Sequence, residues 1–145
     1  MEIQNYVASL CDQYGSEDPF ELCDALNITV LSVELPKGVD GFSLTIEGCQ
    51  FIFLNEDLDE RNRRMICAHE LGHSLLHPQL NSHFLEEQTY LLKERYEREA
   101  DEFCVHLLLR TLPDELKGRD SLTIDEIAEQ TGLPPDLVRK KFDPS

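Results

Sequence analysis

The spacing of apolar residues changes period along the chain. From Ile3 to Tyr14, and again from Pro19 to Leu26, apolar side chains recur at helical intervals. Ser16 to Asp18 supply capping side chains between the two, and Pro19 falls in a first turn, where a missing N–H is harmless. From Ile28 the runs ITVLSVEL, GFSLTIEG and CQFIFLN are β-branched and aromatic. With Pro36-Lys37-Gly38 and Glu47-Gly48 between them, they predict a three-stranded antiparallel meander. After Asp57 the helical period returns in RNRRMICAHELGHSLLH for about twenty positions and ends at Pro78. A polar stretch, Asn81 to Gln88, leads to a second long helix from about Thr89 to Arg110, stopped before Pro113. The tail, SLTIDEIAEQTGLPPDLVRKKF, reads as a helix, a turn at Gly132 and a helix from Pro134.

Helices, a small sheet and more helices make an α+β protein. At 145 residues the chain has the size of one domain, read here as residues 1–112 with a small helical lobe over 113–145. Apolar residues make up 41% and charged residues 29%, a balance that buries a core and does not fit a disordered tail. The formal charge of −16 would repel bare nucleic acid or an anionic membrane over most of the surface, so direct nucleic-acid binding is not expected. No apolar run approaches the roughly 18 residues of a membrane span, and the opening residues lack the basic and apolar regions of an export signal. The expected location is cytoplasmic. The cysteines, Cys11, Cys23, Cys49, Cys67 and Cys104, are scattered, form no CxxC pair and sit among apolar neighbours. They read as small buried hydrophobes and not as a disulfide frame.

The first long helix contains His69-Glu70-Leu71-Gly72-His73, an HExxH sequence. Four residues advance about 6 Å and rotate about 40°, so both imidazoles share a face and can converge on one Zn²⁺, with Glu70 about 100° round and within reach of a bound water. A catalytic zinc takes three protein ligands and keeps one open position, so a third donor is needed. His77 continues the row but lies about 12 Å along the axis from His69, too far to share an ion, and fits a packing or hydrogen-bonding role at the helix end. His83 and His106 have no spacing argument. Gly72 either allows close approach of another element or is merely tolerated.

On the second long helix Ala100, Phe103, Cys104, Leu107 and Leu108 form an apolar stripe that should face the first. Measured from Ala100, Glu97 falls about 60° away and Asp101 about 100° on the same side, with Glu99 about 100° away on the other side and Glu102 nearly opposite. Glu97 is thus best placed for the metal. Asp101 is placed to accept a hydrogen bond from the outer nitrogen of a ligating histidine. Glu99 and Glu102 read as solvated charge, and the competing reading makes the whole edge, with Glu94-Arg95 and Glu97-Arg98, ordinary acidic surface.

HELGHSLLH followed by EREADEFCVHLLL resembles the ImmA/IrrE family of metallopeptidases, whose pattern is HExxH on one helix and Glu-x-x-Ala-Asp-x-Phe-Ala before a Leu-rich run on the next. The FIFLN strand with Asn55 and the Arg-rich turn after it are also similar. The resemblance covers roughly Ile3 to Leu109. It implies a zincin-like fold, His69, His73 and Glu97 as zinc ligands, Glu70 as the catalytic glutamate and Asp101 as the acidic residue beside them. Cys104 stands where the family usually has Ala, and Cys67, about 200° from His69, should face away from the ion. The implied substrate is a helix-turn-helix repressor encoded on the same mobile element. In zincin-type folds a sheet edge takes the substrate as an added strand, which points to Cys49–Asn55 or its neighbour.

Two function classes stand side by side: a zinc peptidase, and a metal-containing module that sequesters a repressor or antitoxin without cutting it. The tail resembles half of a helix-turn-helix DNA-binding domain, yet its last helix offers only Arg139, Lys140 and Lys141 against a strongly acidic chain. Tyr90, Tyr96, His83 and Arg95 are all near enough to stabilise an oxyanion, and nothing in the sequence ranks them.

Overall fold

The computed structural model describes residues 2–78, 90–112, 116–118 and 121–142, the side chains of 90–93 excepted. The polar stretch 81–88 with His83, and most of 113–120, lie outside the described residues. Within them the helices are α1 (Ile3–Tyr14), α2 (Pro19–Ala25), α3 (Glu60–Leu76), α4 (Tyr90–Leu108), α5 (Ile124–Thr131) and α6 (Pro135–Phe142), and the strands are β1 (Thr29–Val33), β2 (Gly41–Ile46) and β3 (Cys49–Asn55).

Local chemistry sets the helix starts. Asp18 accepts from the Glu21 N–H ahead of Pro19, Asp59 from Asn62 N–H at 2.8 Å, and Thr123 from Glu126 N–H at 3.1 Å. Each satisfies an amide that the first turn would otherwise leave without a partner.

The sheet departs from the expected meander. Its order is β1-β3-β2, with β2 antiparallel to β3 but β1 parallel to it. Glu47 and Gly48, at φ 51° and 81°, make the tight β2–β3 hairpin, the left-handed pair that matches strand twist. The connection 34–40 crosses from β1 over to β2, about 10 Å across the sheet, and leaves the central place to β3. That strand is the most thoroughly apolar of the three, and a central position buries it best: Ile52 and Leu54 are fully buried, whereas β1 is largely exposed. Asn55 fastens the crossing, donating to Val39 O at 3.0 Å and accepting from Asp57 N–H. Within Cys49–Asn55, residues 51–54 therefore face a strand on each side and leave no edge for an added strand; β2 is an edge, as is β1.

Helix α3 lies between the sheet and α4. Ile52, Leu54, Cys67, Leu71, Phe103 and Leu107 are at its buried centre. The Arg-rich first half of α3 ties it to its surroundings: Arg61 donates to Glu129 O, Arg63 to Ser32 Oγ at 2.8 Å, and Arg64 to Asp18 at 2.9 Å. Helices α5 and α6 pack on each other and on α3 and α4, adding Ile127, Ala128, Leu133 and Val138 to the same hydrophobic cluster. No described helix is long and apolar enough to cross a membrane.

Candidate metal centre

The inner face of α3 presents Glu70 and His73, both buried, with His69 at its margin. Opposite stands α4. Gly72 is where the helices meet: a Cβ there would lie 3.1 Å from both Cβ and Cδ1 of Phe103. That contact assigns Gly72 the close-approach role.

With the helices this near, Glu97 reaches both imidazoles. Its Oε2 is 3.1 Å from His69 Nε2 and its Oε1 3.0 Å from His73 Nε2. The ligand atoms of His69, His73 and Glu97 all lie within 4.8 Å of one another, a group able to hold a metal ion. Asp101 Oδ1 is 3.0 Å from His69 Nδ1, so the nitrogen turned away from the cluster also has a carboxylate. The rings of His69 and His73 meet edge to face at 4.8 Å.

The electrostatics suit a cation. Burial works against a charge on His69, but hydrogen bonds to Asp101 and Glu97 outweigh it and raise its pKa to about 10. Burial likewise opposes ionisation of Glu97, and the two imidazoles overcome it, holding the carboxyl well below the usual range. In Glu70 burial prevails and raises the pKa, although both imidazoles and a hydrogen bond from Ser43 pull it down. Glu70 Oε1 has no hydrogen-bond partner among the described residues. An orphaned, buried carboxylate oxygen is costly unless something polar comes to it, and a metal with its water beside Glu97 would supply that. Two imidazoles and one carboxylate are also a donor set that zinc accepts. The residues fit a metal.

Residues 23–143 match the model of the IrrE N-terminal-like domain of the M78 peptidases. The chain belongs to this peptidase family. It is 34% identical over 139 residues, 96% of this chain and 88% of the relative, to uncharacterized immunity region protein 2 of Bacillus phage phi105. To metallopeptidase ImmA of Bacillus subtilis strain 168 it is 27% identical over 135 residues, 91% of this chain and 79% of the relative. The chain is thus of a metallopeptidase family, which implies a metal, and a His/Glu cluster able to hold one is present.

Other residues fall where the sequence did not put them. Glu99, expected in solvent, is 3.2 Å from His77 Nε2, and His77 is buried at the end of α3. The His77 ring lies 4.5 Å from that of Tyr96, and Arg95 approaches Glu99 at 3.6 Å. The side chain of Tyr90 and all of His83 lie outside the described residues. His106 is remote from the cluster and meets Lys141 at 3.2 Å. Cys67 points away from it towards Cys23, with sulfurs 3.9 Å apart, and burial adds to that contact in raising its pKa. Ser43, beside Glu70, was not singled out; its one sequence signal is a polar residue at an inward-facing strand position between Phe42 and Leu44. Behind His69 and Asp101 a cavity of ≈ 370 Å³ is walled by Met65, Ile66, Leu133 and Leu137, bringing the C-terminal helices up to the site.

Proposed function

We propose that the chain is a zinc-dependent endopeptidase in which His69, His73 and Glu97 hold the metal, Glu70 is the general base and Asp101 orients His69. The observation that carries this reading is the convergence of the three donors beside the orphaned Glu70 Oε1. When bound, zinc supplies Lewis acidity to the scissile carbonyl and acidifies water, so that the nucleophile forms near neutral pH.

Glu70 takes a proton from the attacking water and returns it to the leaving amine, which breaks the peptide bond with atoms in balance. Its burial raises the pKa towards the range where a carboxylate both accepts and donates effectively. Ser43 holds the Glu70 carboxyl from the β2 side, leaving Oε1 for that work. Asp101 accepts the Nδ1 hydrogen of His69 and so turns the Nε2 lone pair towards the cluster. A substrate strand adds along β2, the sheet edge that carries Ser43. Residues 1–112 form the peptidase domain, and 113–145 a lobe that walls one side of the site.

The relative named for a phage immunity region supports a protein substrate from the same mobile element, and we read it as a helix-turn-helix repressor met in the cytoplasm. Co-expression with that repressor tests the reading. Wild type cuts it in a chelator-sensitive way, and Glu70→Gln retains about one zinc per chain while cleavage falls by about 10²-fold or more. Undiminished derepression by Glu70→Gln would sink the enzyme and leave a sequestering module in its place.

A further inference from the structure

The buried imidazole of His77 is not explained by the metal cluster, yet it touches it. His77 Nδ1 lies 3.2 Å from His73 Nδ1, and His77 Nε2 lies 3.2 Å from Glu99 Oε1. The side chains of His73 and His77 are 3% and 5% exposed, so the ring nitrogens in both pairs are shut off from solvent. Each pair must therefore contain one donor and one acceptor.

Only one arrangement leaves His73 fit to bind a metal. His73 Nε2 faces Glu97 and the cluster, so it must carry a bare lone pair, which puts the His73 hydrogen on Nδ1. His77 Nδ1 must then accept that hydrogen, and the hydrogen of His77 sits on Nε2, aimed at Glu99. A carboxylate accepts only, which makes Glu99 the right end for this chain. The Tyr96 ring lies against that of His77 and Arg95 pairs with Glu99, so the two are braced as well as bonded.

We infer that His77 and Glu99 are positioning residues, an outward relay in which Glu99 fixes the His77 ring and His77 fixes the tautomer and orientation of His73. The outer nitrogen of His69 has its carboxylate directly, in Asp101; that of His73 reaches one through a second imidazole. The inference rests on reading His69, His73 and Glu97 as ligands.

Zinc affinity, measured by competition against a chromophoric chelator, separates the two. His73→Ala removes a ligand and should abolish tight binding. His77→Ala and Glu99→Ala should each keep one zinc per chain but hold it about 10- to 100-fold more weakly. The double variant should be no weaker than His77→Ala alone, because Glu99 acts through His77. Glu99→Ala, at a half-buried position on a helix, which Ala favours, keeps the test open should His77→Ala fail to fold. In the zinc-loaded wild type, imidazole ¹⁵N spectra should show the His77 hydrogen on Nε2 and that of His73 on Nδ1. Wild-type affinity in both His77→Ala and Glu99→Ala, or a His77 hydrogen on Nδ1, overturns the relay while leaving the ligands standing. Wild-type affinity in His73→Ala overturns the ligand reading itself and the relay with it.

Discussion

Gly72 shows how much one side chain decides here. The Glu97 carboxylate is on α4 and both imidazoles are on α3, so the candidate site forms only if the helices approach until Phe103 lies over position 72. Phe103 is fully buried and the obstructing atoms include its Cβ, which cannot swing aside. Gly72→Ala should therefore destabilise. Overpacking costs about 1–3 kcal/mol, more than the gain of about 1 kcal/mol that Ala brings to a helix. Thermal denaturation should show a lower Tm, and an unchanged or raised Tm would refute the close-packing role. At this scale much of the candidate site was legible: residues three and four apart on a helix are neighbours whatever the fold, so His69, Glu70 and His73, and the ranking of Glu97 above Glu99, follow from sequence. Glu99 was misjudged because an angle measured from the apolar stripe of its own helix says nothing about a histidine at the end of another.

Among elements, α5 is fixed at its start by Thr123, whose hydroxyl accepts from Glu126 N–H at 3.1 Å while the Glu126 side chain comes back to the same hydroxyl at 3.2 Å. Thr123→Ala should cost about 1 kcal/mol, read as a fall in the urea midpoint at unchanged slope. Docking of α6 carries a pH signature. Burial lowers the pKa of His106 from its ordinary 6.5, and Lys141 on α6 lowers it further. The folded chain thus binds the His106 proton less readily than the unfolded chain. The stability that neutral His106 contributes is present above 6.5 and is lost as pH falls through its depressed value. Melts should show a drop in Tm from neutrality to about pH 5 that is smaller in His106→Gln; an equal drop in both would refute it. The helices were legible because caps and prolines punctuate them locally. The sheet was not: three short apolar strands pair in several orders, and only the burial of β3 on both sides selects β1-β3-β2.

For the whole molecule, the net charge of −16 and the placing of Glu97 and Asp101 on either side of His69 have a common consequence. The folded chain gathers carboxylates where a cation is needed. A metal that binds the folded but not the unfolded chain stabilises it by mass action, about 2.7 kcal/mol at a free concentration 100 times Kd. Stripping with a chelator should lower Tm, and adding zinc back should raise it in proportion to the logarithm of its concentration. An indifferent Tm would mean that no site forms on folding. The Arg-rich first half of α3 does not soften this balance for a polyanion, since Arg61, Arg63 and Arg64 are occupied within the fold.

The sequence by itself determined the helices, their caps, the pair of imidazoles with a glutamate between them, and the acidic residues one turn apart on a second helix, because all of these depend on spacings of a few residues along one rod. Tertiary structure alone decided which strand is central, that Ser43 meets Glu70, and that His77 finds Glu99, because each joins residues far apart in the chain. Backbone periodicity says which way a side chain points, and only the packing of Phe103 against Gly72 says what it then meets.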